Sequence, residues 1–221
     1  MKQNSFGRCR LLILILSWLL LVTNDKAIAG IDPVKLMSYN LLNYPNKDAN
    51  QSITADTIVR NPYYRISIAA ANPDILVVQE LISLAGLTGF LNNVMNIALS
   101  GFAAGTFIDG PDSDNGIFYR TSKFSFISNT RIKTDLRDIN EFKLKNLLSG
   151  DTIRIFSVHL KATNTTPDEA QRALEVDSLR NYTNALPSGS NFVVCGDFNI
   201  STFCTFIYIK IAANNKIRTR W

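Results

Sequence analysis

The stretch Asn191-Phe192-Val193-Val194-Cys195-Gly196-Asp197-Phe198-Asn199 decides how this chain is read. An apolar, strand-forming run ends in a glycine, and a carboxylate and a carboxamide follow two residues apart. Alternate residues of an extended chain point the same way. Asp197 and Asn199 are therefore presented together at the rim of a sheet. Such a pair suits a phosphate group and a hard metal ion.

Upstream, strand-like and helix-like segments alternate. Val34 to Tyr39 reads as a first strand. Ile53 to Ala71 has helical spacing, interrupted near Asn61-Pro62. Asn72-Pro73-Asp74 is a stop, and Ile75 to Gln79 is a near-continuous apolar run, as expected of a strand buried on both faces. Leu84 to Ala98 predicts a helix weakened by Gly86 and Gly89. Phe102 to Ile108 and Gly116 to Arg120 read as paired strands around the polar turn Asp109 to Asn115. Phe124 to Lys133, Phe142 to Leu147 and Thr152 to His159 are further strands, the last two joined at Ser149-Gly150-Asp151. Thr166-Pro167-Asp168-Glu169 opens a helix with a capping Thr, Pro at the first position and Glu completing a capping box. That helix runs to about Leu186. Strands outnumber helices, and some helices sit between strands. The pattern suggests sheets packed face to face with helices outside, in one domain.

The polar residues Asn40, Glu80, His159 and Asp197 share a property: each ends or follows an apolar strand. Strand ends on one edge of a sandwich converge on a cleft, so separate segments can build one site. By themselves these residues also have ordinary uses. Asn40 and Asn199 suit turns, Glu80 a solvated strand end, and a lone histidine a structural role.

Together they are similar to the endonuclease/exonuclease/phosphatase superfamily. The carrying motifs are Ser38-Tyr39-Asn40, Pro73 through Glu80, Asn115-Gly116-Ile117-Phe118-Tyr119-Arg120, Val158-His159-Leu160-Lys161 and Gly196-Asp197-Phe198-Asn199. They occur in the family's order and cover roughly Pro33 to Ser201. The resemblance implies a four-layer α/β/β/α sandwich of two mixed sheets and metal-dependent cleavage of phosphate esters. It implies Glu80 as principal metal ligand, with Asn40 and Asp197 contributing, and Mg²⁺ as the cation, Mn²⁺ or Ca²⁺ being alternatives. Asp197 would orient the attacking water or handle a proton. His159 would contact the scissile phosphate, and Asn199 and Arg120 would donate to its oxygens, with Lys161 a weaker candidate. The implied substrate is nucleic acid, with a phospholipid headgroup such as sphingomyelin less favoured and a non-catalytic fragment as a further reading. Nothing in the sequence calls for a stable protein partner.

The termini differ from the middle. Lys2, Arg8 and Arg10 precede the apolar run Leu11 to Val22, and Ala27-Ile28-Ala29 gives a cleavage site before Gly30. This reads as a secretory signal peptide over residues 1–29, with export to the periplasm or exterior, the alternative being an uncleaved anchor. The domain then covers 30–202, and 203–221 is an atypical tail. The net charge of +5 is concentrated at the ends: the leader holds +3 and the tail +4, which leaves Gly30 to Thr202 at −2. The basic balance is therefore no argument for nucleic-acid binding. Cys9, Cys195 and Cys204 form no disulfide framework. In the resembled family the sequence continues through further strands to a terminal Ser-Asp-His. Here the single histidine is His159, and no acidic residue follows Thr202. The expectation is a domain truncated or frame-shifted after Ser201, with an open sheet edge and impaired activity.

Overall fold

Alternation along β2 (Ile75–Leu81) sets the layering. Ile75 and Val77 face one hydrophobic cluster, Leu76 and Val78 another, and all four are fully buried. The run that reads as continuous in sequence is a period-two strand covered on both sides. The computed structural model describes residues 33–46, 53–200 and 209–210. Leader and tail expectations lie outside these residues, apart from a two-residue strand at Ile209–Lys210.

In the first sheet, β1 (Leu36–Tyr44) lies parallel to β2. Next comes β4 (Asp114–Arg120), antiparallel to both β2 and the edge strand β3 (Phe102–Ala104). The second sheet has the order β5 (Phe124–Ile132), β6 (Ile139–Asn146), β7 (Thr152–His159), β8 (Phe192–Asp197), β9 (Ile209–Lys210). Its pairings are antiparallel except for β7 with β8. A parallel pair needs a crossover. Helix α1 (Ile53–Ala71) supplies it between β1 and β2, and α4 (Thr166–Asn184) between β7 and β8.

The helices form the outer layers. Tyr64 and Ile68 of α1 pack with Leu76 and Val78, and Leu179 of α4 packs with Phe156 and Val158. Between the sheets, Ile75, Val77 and Ile117 meet Phe142, Leu144, Ile155, Val193 and Cys195. Each large side chain buried there contributes about 1.5–3 kcal/mol. This is the expected α/β/β/α sandwich. Among the described residues no helix is long and apolar enough to cross a membrane.

Several local expectations shift. Helix α1 runs unbroken through Pro62. Pro62 is exposed, so the Ile58 carbonyl that loses its donor lies on the solvated face. The expected helix over Leu84–Ala98 is instead α2 (Leu84–Phe90), a π-helical turn (Leu91–Met95) and α3 (Asn96–Ala98). The α4 cap is Thr165 rather than Thr166. Its hydroxyl accepts from the Asp168 amide, and Asp168 rather than Glu169 closes the box. Strand β3 stops at Ala104, well short of Ile108.

Two positions carry unusual conformational or electrostatic demands. Gly196 has φ +138° where β8 pairs with β7, and a Cβ there would lie 1.9 Å from the Val158 carbonyl oxygen. Asp114 opens β4 and is buried. Its Oδ1 accepts from the Gly110 amide at 2.8 Å, while Oδ2 has no hydrogen-bond partner among the described residues. Burial pushes its carboxyl from the ordinary 3.8 up to about 6, with Asp109 and Asp138 adding to the rise.

Gly196→Ala is therefore expected to destabilise by roughly 3 kcal/mol or more, measured by urea denaturation. Wild-type stability after such a substitution would contradict the close β7–β8 approach. For Asp114 the folded pKa is raised, so ionisation costs stability. The cost is absent below pH 3.8, grows between, and is complete above about 6. Asp114→Asn should raise the melting temperature at pH 8, and the gain should vanish near pH 4.

Candidate active site

Parity along the strands brings three polar side chains, Asn40, His159 and Asp197, to one end of the sandwich. On β1, Leu36 faces the space between the sheets, and Ser38 and Asn40 continue that row. On β7, Ile155 is followed by Ser157 and His159, and on β8 Cys195 is followed by Asp197. The parallel register sets His159 opposite Asp197.

Glu80 does not belong to this row by counting. It shares parity with Leu76 and Val78, which point toward α1. The β2 register breaks between Val78 and Leu81, and Glu80 has φ +60°. Glu80 is thus an inserted residue, a bulge. It turns into the cleft, and Leu81 takes the buried place on the helix side. Strand β1 breaks register in the same way between Asn40 and Tyr44, with Leu42 at φ +52° and Asn43 at φ +53°. Glu80 therefore sits in a bulge, and Asn40 is the last regularly paired residue before one, neither lying after a strand end.

The carboxamide of Asn40 joins the two carboxylates. Its Nδ2 donates to Glu80 Oε1 at 2.8 Å and to Asp197 Oδ2 at 3.0 Å. Its Oδ1 accepts from the Leu42 amide at 2.8 Å. Glu80 Oε2 accepts from the Asn43 amide at 2.9 Å. Every polar atom of Asn40 is engaged, and the reverse amide orientation would turn an oxygen toward two carboxylates. In this orientation Asn40 presents its N–H₂ group to both carboxylates and so aligns Glu80 with Asp197.

His159 closes the cluster. Its Nε2 lies 3.6 Å from Glu80 Oε1 and 4.0 Å from Asp197 Oδ2. Its Nδ1 is buried without a hydrogen-bond partner among the described residues. Burial lowers its pKa below the ordinary histidine value, and Arg137 adds to this, against the opposing pull of Glu80, Asp197 and Asp112. The side chains differ in access, with Asp197 32% exposed, Glu80 14% and His159 7%.

Asn199 forms an Asx-turn. Its amide donates to Asp197 Oδ1 at 3.0 Å, its Nδ2 donates to the Leu160 carbonyl at 2.8 Å, and its φ is +50°. The side chain is at the site and also locks the loop that follows β8.

Arg120 is not at the site. Strand β4 runs antiparallel to β2 and pairs Tyr119 with Ile75. Arg120 therefore lies beyond the far end of β2, about 20 Å from Glu80 along the strand. There it donates to Asn72 Oδ1, lies 3.5 Å from Asp74 and stacks over Phe102. Its expected phosphate contact is overturned by strand direction. Lys161 is also committed elsewhere, with Nζ 3.1 Å from Asp168 at the start of α4.

The cation that does reach the cluster is Arg137, in the turn between β5 and β6. Its Nη1 donates to the Leu160 carbonyl at 3.1 Å and its Nε to Asp112 at 2.9 Å. No motif marks it. The only hint in the sequence is an arginine between two acids, Asp135 and Asp138, in a short turn.

The atoms able to hold a hard cation are the oxygens of Glu80 and Asp197. Among the described residues no three His, Cys, Asp or Glu side chains converge as a metal-ligand group. Two carboxylates in one polar cleft still fit a Mg²⁺-type ion, which binds through one or two carboxylates, waters and substrate phosphate.

Comparison with known proteins agrees with this geometry. No curated protein matches the chain. Among solved structures, TDP2 of D. rerio in complex with a single-strand DNA product superposes with TM-score 0.58 at 17% identity, over 76% of this chain and 62% of that one. The human Nocturnin catalytic domain with bound sulfate gives 0.53 at 22%, over 76% and 65%. A mannosyl-6-phosphatase of Bacteroides thetaiotaomicron gives 0.55 at 22%, over 78% and 68%. The chain thus spans less than two thirds of the length of the first two. At these identities the likeness is one of fold. A model of the Endonuclease/Exonuclease/phosphatase family matches residues 37–208. With its motifs gathered at one end of an α/β/β/α sandwich, the chain belongs to the endonuclease/exonuclease/phosphatase family.

Proposed function

We propose that this protein is a metal-dependent phosphodiesterase acting on nucleic acid. The observation that carries the reading is the Glu80–Asn40–Asp197 bridge with His159 against it. The two carboxylates come from different sheets and are held a hydrogen bond away from one shared amide. That is the arrangement hydrolysis of a phosphodiester needs: a cation-binding carboxylate beside one that faces solvent. When bound, a divalent cation held by Glu80 and Asp197 neutralises charge on the phosphate oxygens. Asp197, the more exposed carboxylate, orients a water. His159, pushed toward its neutral form, shares a proton with a phosphate oxygen through Nε2. Arg137 adds a fixed positive charge beside it. Asn199 keeps one amide hydrogen beyond its bond to Leu160 for a phosphate oxygen.

Nucleic acid is favoured as substrate because the fold is shared with a TDP2 that holds a single-strand DNA product. A phospholipid headgroup is the second reading. Leu42, Ile82 and Leu84 are 46%, 41% and 59% exposed; Leu42 follows Asn40 on β1, and Ile82 and Leu84 follow Glu80 just after β2. They would favour a substrate with an apolar part. Export rests on the leader pattern over residues 1–29.

The deciding assay offers single-stranded DNA, RNA and sphingomyelin with Mg²⁺ and with EDTA. The expected outcome is EDTA-sensitive nucleic-acid hydrolysis. Faster turnover of sphingomyelin would favour the lipid reading, and EDTA-resistant cleavage would defeat the metal-dependent one. Glu80→Gln should weaken Mg²⁺ binding at least about tenfold in calorimetric titration. Asn40→Ala removes two charge-assisted hydrogen bonds and should cost about 3 kcal/mol of stability in urea, together with most of the activity.

A further inference from the structure

Beneath the carboxylate cluster a chain of hydrogen-bonded side chains, buried at its centre, runs back and forth between the sheets. Ser38 Oγ donates to Gln79 Oε1 at 3.3 Å, and Gln79 Nε2 to Ser157 Oγ at 3.0 Å. Ser157 Oγ donates to Asn115 Oδ1 at 2.9 Å, and Asn115 Nδ2 to Asn140 Oδ1 at 2.8 Å. Asn140 Nδ2 donates to Asn129 Oδ1 at 2.9 Å, and Asn129 Nδ2 to the Thr106 carbonyl at 2.8 Å. Ser157, Gln79, Asn115 and Asn140 are 0%, 1%, 2% and 4% exposed.

The chain is directional. Every amide donates forward and accepts from behind, and it ends on a backbone oxygen. Turning over Gln79, Asn115 or Asn140, all buried, would set donor against donor or acceptor against acceptor in a site closed to water. It also laces the sheets. Gln79 on β2 and Asn115 on β4 belong to the first sheet, and Ser157 on β7 and Asn140 on β6 to the second. The Ser157 hydroxyl is the pivot, gripped from both sides by residues of the opposite sheet. The apolar contacts around it hold the sheets together without setting their lateral position, because burial is non-directional.

The lacing adjoins the site covalently. Gln79 precedes Glu80, and Ser157 lies two residues before His159 on the same row. We propose that Gln79, Ser157 and Asn115 are positioning residues for the reaction. They fix one sheet against the other so that Glu80 and His159 face each other 3.6 Å apart. The proposal rests on the phosphodiesterase reading for its kinetic consequence and on geometry alone for its structural one.

The test uses Ser157→Ala, Ser157→Thr, Gln79→Met and, as a destabilised control outside the lacing, Val77→Ala. One readout is kcat and KM on bis(p-nitrophenyl) phosphate with Mg²⁺. The other is the imidazole proton signal of His159, unambiguous because the chain has one histidine. Ser157→Ala and Gln79→Met should lower kcat roughly 10- to 100-fold with KM nearly unchanged. Both should also shift or broaden the His159 signal. Ser157→Thr, which keeps the hydroxyl, should recover most of the loss. Val77→Ala should melt earlier yet keep the signal and kcat. A His159 signal unmoved in both lacing variants, or moved as far by Val77→Ala, would overturn the proposal. Absence of turnover in the wild-type protein would count against the phosphodiesterase reading alone, since the His159 signal still decides the positioning role. If Ser157→Ala does not fold, Gln79→Met carries the same test.

Discussion

Two carboxylates from different sheets meet at one amide, and the site depends on that contact. Glu80 and Asp197 repel each other, and close approach in a partly dry cleft is unfavourable without a compensating donor. Asn40 provides both N–H groups at once and is itself held by the Leu42 amide. A neutral donor can do this without cancelling the negative charge that would attract a cation. An arginine or lysine in its place would neutralise the cleft.

Bringing those groups together required departures from regular sheet geometry. Glu80 leaves the alternation of β2 through a left-handed residue, and β1 breaks where it turns past Asn40. Left-handed φ at non-glycine residues costs on the order of 1 kcal/mol or more each. Here the cost is offset by the Asn43 amide on Glu80 and by burial of Leu81 on the helix side. At β8, where the chain passes against Val158, only glycine fits. Bulges beside active sites re-aim side chains in this manner. The regular strands below them provide the rigid base.

Much of this was legible in the sequence. The motif ending in Asp197 and Asn199, the apolar run before Glu80, and the histidine at the end of β7 all pointed to residues that the structure brings together, because hydrophobic runs and their polar ends are local features. The sandwich followed from strand count and from the helices between strands. What failed had a non-local cause. Arg120 was credited to the site because it closes a motif similar to one of the family's. Strand β4 runs the other way, so its cleft end is Asp114 and its far end Arg120. Arg137 was missed because its place depends on how the β5–β6 turn packs against Leu160, which no short-range pattern records.

The sequence by itself determined which segments are strands, which residues lie at their polar ends, and the family to which the order of motifs points. Periodicity and turn chemistry act over a few residues and leave readable traces. Tertiary structure alone decided which strand ends share a cleft, that an inserted residue turns Glu80 inward against its parity, and that Asn40 bridges the two carboxylates. Those outcomes depend on strand direction, register and the orientation of one amide. Each is fixed by pairing between residues far apart in the chain, such as Asn40 with Asp197.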